Sequence, residues 1–330
     1  MKVLVIGGTG NISRGIVAAL LGRNHEVVLF NRGQHVDPPP RDVRVIQGDR
    51  QNREDFEKKV SAEYWDAVID MISFNAEDAA SAFRACQGRV GHFIHCSTVM
   101  TYGPPFNGIN IPETGPLQGE SGYGLGKTAA DNFLLQAFKE DGFPVTIFKP
   151  SYTHGPGMNL LRQVGGDGSW IDRLRKGKPI LSAGDGLNYF QFLSSRDAGD
   201  AFSDILGKTQ CLGEIYNLVH PQARTWDEWH TAAAEALGVD IQIVHVSQET
   251  LINISPERYS GLRGNFGHTQ IFSHEKLASV LPNFTPKTHI KNSVLDNIEW
   301  MDKHNRIPDS DADDIEDRII ETIRNLPRIT

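Results

Sequence analysis

Cysteine is scarce in this chain. Cys86, Cys96 and Cys211 are odd in number and widely separated, which excludes a disulfide framework and the clustered spacings of a zinc site. They read as small buried residues in a reducing compartment. A dense basic tract is also lacking. With 41 acidic against 33 basic residues the formal net charge is -8, which argues against a general nucleic-acid binder. No apolar run is long enough to cross a bilayer, and no basic, apolar leader precedes the first strand, so a cytoplasmic protein without membrane contact is expected. His154, on a loop, has no partner at metal-ligand spacing, so no metal site is expected. Internal repeats and low-complexity linkers are missing too.

What is present starts at once. The 330-residue chain has room for one large domain and a smaller one. Val3, Leu4, Val5 and Ile6 form the continuous apolar run of a strand buried on both faces. Gly7, Gly8 and Gly10 then turn the backbone into an apolar-periodic helix that includes Gly15 to Leu21. Lacking side chains, Gly7 and Gly10 let bare N–H groups approach a pyrophosphate, whose charge a helix N-terminus favours. A dinucleotide is the expected guest.

A second apolar run, His25 to Phe30, ends in Asn31-Arg32-Gly33. At this place in a βαβ unit an acidic residue usually grips the adenosine ribose hydroxyls. Asn31 has no charge to repel a 2′-phosphate, and the Arg32 guanidinium matches one as a fork, although a solvated loop residue explains Arg32 equally well. The reading is NAD(P), leaning to NADP with NAD kept open. After a Pro-rich connection from 35 to 40, the strand Val43 to Ile46 leads to Asp49, placed either against an adenine or as the cap of a helix from Arg53 to Val60. The buried strand Trp65 to Ile72, an Ala-rich helix from Ala76 to Cys86 and the strand Gly91 to Thr98 follow. The last puts two hydroxyls, Ser97 and Thr98, at a strand end. Such alternation implies a parallel sheet covered on both faces.

Beyond a polar loop, Ser121 is placed to cap a helix that carries Tyr123 and Lys127 at i and i+4. An ammonium one turn away eases formation of a phenolate. Tyr123 therefore reads as a general acid or base toward an alcohol or carbonyl, with Thr98 on the same substrate oxygen. Chance often gives a tyrosine and a lysine this spacing. The order of glycine turn, hydroxyl-ended strand and tyrosine helix carries the weight.

In that order the sequence resembles the extended short-chain dehydrogenase/reductase superfamily, specifically its NAD(P)-dependent epimerase/dehydratase group. The resemblance rests on Gly7-Gly-Thr-Gly10, Phe93-Ile-His-Cys-Ser-Thr-Val-Met-Thr-Tyr-Gly103, Tyr123-Gly-Leu-Gly-Lys127 and Lys149-Pro-Ser-Tyr-Thr-His-Gly-Pro156. It implies an α/β fold: a Rossmann-type doubly wound parallel sheet with a smaller, mostly helical substrate domain. The dinucleotide domain is expected over 1–153 and about 188–219, and the substrate domain over about 154–187 and 220–330. Thr98, Tyr123 and Lys127 are implied as the catalytic set. Gly7, Thr9, Gly10, Asn11, Ile12, Asn31, Arg32, Asp49, Lys127 and Pro150 are implied as the cofactor's contacts. The implied reaction passes a hydride to and from the nicotinamide of NAD(P) while Tyr123 moves a proton on a sugar, sugar nucleotide or related polyol. A homodimer is implied as well. A second reading is a non-catalytic dinucleotide-sensing or RNA-binding member, since some relatives with similar Asn-Arg strand ends serve such roles; an intact Thr98, Tyr123 and Lys127 weighs against it.

Departures from the pattern narrow the substrate. Ser13 stands at the third glycine. Tyr152 stands where nucleotide-sugar enzymes commonly carry an asparagine. Phe190-Gln191 replaces a common Arg-Asp pair, which removes a diphosphate contact and speaks against a standard UDP- or dTDP-sugar; Arg263 and Lys149 are candidates to supply the charge. In the second half, Val145 to Phe148 reads as a core strand, and Phe190 to Leu193 and Glu214 to Val219 as strands returning to the main sheet around a helix from Arg196 to Leu206. Trp170, Ile171 and Leu174 line the second domain. Helices are expected at Trp226 to Leu237, Ser273 to Leu281 and Ile290 to His304. The acidic run Asp309 to Asp317 is expected to be the solvated start of a helix with Ile315, Ile319 and Ile323 on one face.

Overall fold

The computed structural model describes residues 1–34, 37–41, 43–104, 106 and 108–325. His35 and Val36 of the Pro-rich connection lie outside the described residues. Seven strands form one sheet: β1 (Lys2–Ile6), β2 (Glu26–Asn31), β3 (Arg44–Gln47), β4 (Ala67–Asp70), β5 (Phe93–Cys96), β6 (Val145–Pro150) and β7 (Ile215–Leu218). Their order is β7-β6-β5-β4-β1-β2-β3, with each neighbouring pair parallel. Parallel neighbours need crossover helices, and these cover both faces: α1 (Asn11–Gly22), α2 (Arg53–Val60), α3 (Ala76–Cys86), α4 (Gly122–Asp141) and α5 (Ser195–Asp204). Alternate residues of β1 serve opposite faces. Val3 and Val5 pack with Ile16, Leu20, Ala198 and Phe202, whereas Leu4 and Ile6 pack with Phe56, Ala82, Ala130 and Leu134. The doubly wound parallel sheet expected from the sequence is present.

The chain folds as two compact units. The first holds Met1–Thr153, Phe192–Pro221 and Phe272–Lys287; the second holds His154–Gln191, Gln222–Ile271 and the chain from Thr288 onward. Residues 272–287, placed by the sequence reading with the substrate domain, pack with the first unit, where Leu277 and Leu281 join its core. Within this unit α1 and α5 meet backbone to backbone. A Cβ on Gly15 would stand 1.7 Å from the Ser195 carbonyl oxygen, and one on Gly199 would stand 2.2 Å from Gly15. The close backbone approach of α1 is thus at Gly15, two residues beyond Ser13 at the third-glycine position, and Ser13 is buried.

The second unit is built mainly of helices, among them Ser169–Arg175, Trp226–Leu237, Gln248–Ile254, Ile290–Lys303 and Ile315–Arg324. Strand Ile180–Ala183 pairs in parallel with Ile243–Val246. Tyr189–Phe190 pairs antiparallel with Arg224–Thr225, so this stretch does not return to the main sheet as expected; only Ile215–Leu218 does. Trp170, Ile171 and Leu174 are buried. The acidic run is largely exposed and leads into the helix Ile315–Arg324 as expected, with Ile315, Ile319 and Ile323 toward the core; Lys176 pairs at the surface with Asp309 and Asp311, Lys178 with Asp311 and Asp317, and only Glu316 is buried, held by Arg162. Among the described residues no helix is long and apolar enough to cross a membrane.

Candidate active site

The strand order reverses between β1 and β4, and in open α/β sheets the crevice at such a reversal, beyond the carboxyl ends of the strands, is where ligands sit. The loop after β1 is the glycine turn. Gly7 has φ +110° and Gly8 φ +72°, conformations that side chains resist. Helix α1 begins after Gly10 with no side-chain cap, and a Cβ on Gly10 would meet nothing nearer than the Ser13 hydroxyl at 3.9 Å. Open backbone amides at a helix N-terminus fit a pyrophosphate. The buried Thr9 donates its hydroxyl to the Gly7 carbonyl at 3.4 Å, and Asn11 donates its amide to the Thr153 carbonyl at 2.5 Å. Ile12 is half-buried in the first turn of α1.

At the end of β2, the Asn31 side-chain oxygen accepts from the Gly33 N–H at 2.9 Å, and its amide nitrogen is buried without a partner among the described residues. Arg32 is exposed, and its carbonyl accepts from Gln47. Asp49 accepts from the Gln51 N–H at 2.9 Å and does not cap α2; Asn52 does, accepting from Asp55. Pro150 ends β6 in register with Leu218 of β7.

The tyrosine helix forms as expected. Ser121 caps α4 by accepting from the Gly124 N–H at 3.0 Å. Tyr123 and Lys127 are brought together with Thr98, which follows β5 and caps a short turn over Val99–Thr101. The two strand-end hydroxyls separate: Ser97 donates to Asp131 at 2.8 Å, while Thr98 bonds with the Tyr123 phenol. Tyr123 is 47% exposed, and partial burial pushes the phenol up to about 12 against the lowering effect of Thr98. Lys127 is buried, donates to the Cys96 carbonyl at 2.6 Å and lies 4.8 Å from the centre of the Phe74 ring. Burial also lowers its own pKa. In this state the phenol holds its proton.

Two buried polar clusters beneath these residues were not singled out from the sequence. On α4, Asp131 continues the face of Tyr123 and Lys127 at the same i+4 step. It takes Ser97, lies 3.2 Å from Lys149 and 3.4 Å from His95, and burial, which alone would raise its pKa, is outweighed by these partners. Lys149 is thus spent inside the first unit, donating also to Thr101 at 2.8 Å, and is no diphosphate contact; Arg263 is exposed in the second unit. Under β4, Arg50 donates to both oxygens of Asp70 at 3.2 and 3.1 Å and to the Ser73 hydroxyl at 2.9 Å. His154, read as a loop residue without a metal partner, is buried, bonded to Ser293 at 2.7 Å and set edge-on to Trp229.

Residues 3–218 match the family model described as the NAD dependent epimerase/dehydratase family. The chain belongs to that family. It is thereby an NAD(P)-dependent enzyme type of the extended short-chain dehydrogenase/reductase superfamily, as the motif order implied. Among relatives, 2′-dehydrokanamycin reductase of Streptomyces kanamyceticus is 30% identical over 76% of this chain and 70% of its own length. A chloroplast stem-loop binding protein of 41 kDa from Arabidopsis thaliana is 26% identical over 74% of this chain and 65% of its own. Among solved structures, dTDP-glucose 4,6-dehydratase from Bacillus anthracis in complex with NAD has a TM-score of 0.72 at 20% identity, covering 92% of this chain and 97% of that one. UDP-glucuronic acid 4-epimerase from Bacillus cereus, in complex with UDP-glucuronic acid and NAD, has a TM-score of 0.72 at 18% identity, covering 92% and 100%.

Proposed function

We propose that this protein is a net reductase of a carbonyl on a sugar-like ring, with Tyr123 as the proton donor, Thr98 as second donor to the same oxygen and Lys127 as their support. The observation that carries it is the assembly of these three side chains at the strand-end edge, on the same edge as the open glycine turn after β1. A protonated phenol is the form that delivers a proton to a carbonyl oxygen as that oxygen gains charge. The nicotinamide ring, when bound, supplies the hydride. Gly7, Thr9, Gly10, Asn11 and Ile12 would hold the dinucleotide's pyrophosphate, and Lys127 and Pro150 would hold the nicotinamide ribose. Similarity to 2′-dehydrokanamycin reductase, and Phe190-Gln191 in place of the Arg-Asp pair whose arginine would meet a diphosphate, support a substrate without a nucleotide.

NADP is the preferred form. Asn31 presents no carboxylate, and Arg32 is exposed and makes no ion pair among the described residues. Arg32→Ala weakens NADP about tenfold or more and leaves NAD within about twofold, as titrated by fluorescence. Equal losses refute the contact. Tyr123→Phe lowers kcat about 10³-fold while the dinucleotide Kd stays put; undiminished turnover refutes the assignment. The sign with pH follows: reduction needs the acid form and is flat from about pH 6 to 9, whereas the reverse oxidation needs the base form and climbs about tenfold per unit over that range. A homodimer, implied by the family resemblance, is tested by analytical ultracentrifugation. RNA binding without turnover is the second reading, favoured by the similarity to the stem-loop binding protein. Salt-sensitive RNA binding by an enzyme inert toward every ring carbonyl replaces the first reading by the second.

A further inference from the structure

The loop after β4 is held more firmly than a surface loop needs. Three consecutive backbone N–H groups are gripped by buried carboxylates: those of Ile72 and Ser73 donate to Asp70 at 2.9 and 3.1 Å, and that of Phe74 donates to Asp78 at 3.0 Å. Arg50 ties the two acids together, reaching Asp70 through one nitrogen and the Asp78 carbonyl through another at 2.6 Å. Arg50, Asp70, Ser73 and Asp78 are all at most 4% exposed. Keeping such groups out of water is costly and is retained where it fixes one geometry. The other side of the loop is fixed by α4, since a Cβ on Gly126 would stand 2.3 Å from the Phe74 carbonyl oxygen.

All this holds an aromatic ring half in the open. Phe74 is 46% exposed. Its ring centre lies 6.3 Å from that of Tyr123, tilted by 48°, and 4.8 Å from the Lys127 ammonium. A ring so anchored beside the proton donor has an apolar face to offer to whatever reaches the phenol.

We propose that Phe74 is a specificity-determining residue, a fixed platform for the C–H face of a six-membered polyol ring presented to Tyr123. This rests on the reading of Tyr123 as proton donor and names the shape of substrate that the site selects. Polyol rings carry their C–H bonds in patches, and an aromatic face covers such a patch while the hydroxyls stay free to bond elsewhere. Open-chain carbonyls gain nothing comparable from a rigid ring. Phe74 touches no reacting atom, and its effect is on binding and selection.

The test uses the full-length enzyme with a ring ketone, 2′-dehydrokanamycin, and an open-chain hydroxyketone, dihydroxyacetone, each with NADPH. The preference for ring over chain, as the ratio of kcat/KM values, falls about tenfold in Phe74→Ala, mainly through KM for the ring, and is retained in Phe74→Trp. The NADPH Kd is the same in all three proteins. Saturation-transfer NMR on Tyr123→Phe, with kanamycin as a non-reacting ring, reports magnetisation passing from aromatic protons to ring C–H protons, and Phe74→Ala in that background removes it. An unchanged preference, an equal loss for ring and chain, a shifted NADPH Kd, or no binding of either ring probe overturns the platform. Full turnover by Tyr123→Phe overturns the proton donor alone, because the NMR contact is read without turnover.

Discussion

In the first unit Arg50 and Asp70 are buried beneath a loop that ends in an exposed aromatic ring. In the second, Arg162 and Glu316 are buried beneath a helix that closes a core. The second pair has the better geometry, two parallel bonds of 2.7 Å each, and Glu316 also accepts from the Leu181 N–H at 2.8 Å. It seats Ile315–Arg324 so that Ile319 and Ile320 reach the core. In both places burial works against the carboxylate, and the arginine beside it still holds its pKa below the usual range. A buried ion pair is therefore no mark of function by itself. What it immobilises decides: at the strand-end edge a backbone segment beside Tyr123, elsewhere a helix with nothing reactive on it.

The contrast can be broken at either end. Arg50→Ala leaves Asp70 charged and buried without its partner, and it costs about 3–5 kcal/mol of stability in urea unfolding. Turnover per folded molecule falls too, and its survival would show that the loop needs no clamp. Glu316→Gln costs about 2 kcal/mol and leaves kcat and KM of the folded fraction unchanged. That variant also carries a pH signature. Carboxylates with depressed folded pKa values stabilise above the unfolded value of about 4, and the gain is lost as pH falls through the folded pKa. Stability of the wild type therefore drops more steeply on acidification than that of Glu316→Gln, and parallel curves would contradict the pair's contribution. Gly126→Ala forces α4 off the Phe74 carbonyl, costing about 1–2 kcal/mol and lowering kcat. The smallest effect is that of Ser121→Ala, about 1 kcal/mol, read as faster amide exchange in the first turn of α4.

Much of the first unit was legible because its signals are local. A strand, a glycine turn and a helix occupy the first 22 residues, and Ser121, Tyr123 and Lys127 lie within two helical turns of one another. The clamp was not legible, because Arg50 meets Asp70 across 20 residues and each looks like an ordinary surface charge. One sign was there: Asp70 ends the apolar run Ala67-Val-Ile, where a carboxylate requires a partner. The place of the Lys127 ammonium was hidden for a related reason, since i+4 spacing brings Lys127 to the right face without saying that it is bound to the Cys96 carbonyl. In the second half, the pairing of Tyr189–Phe190 with Arg224–Thr225 and the docking of the acidic run depend on partners far along the chain.

The touching backbones of Gly15 and Ser195 have a consequence for how the protein is made. The first helix of the nascent chain waits for a surface that the ribosome adds only after the whole 154–191 excursion, and β6 keeps an open edge until β7 is synthesised. A polypeptide cut after Thr153 would carry nearly every motif by which the family is recognised, yet it would expose an unpaired strand to its neighbours and aggregate instead of binding a dinucleotide.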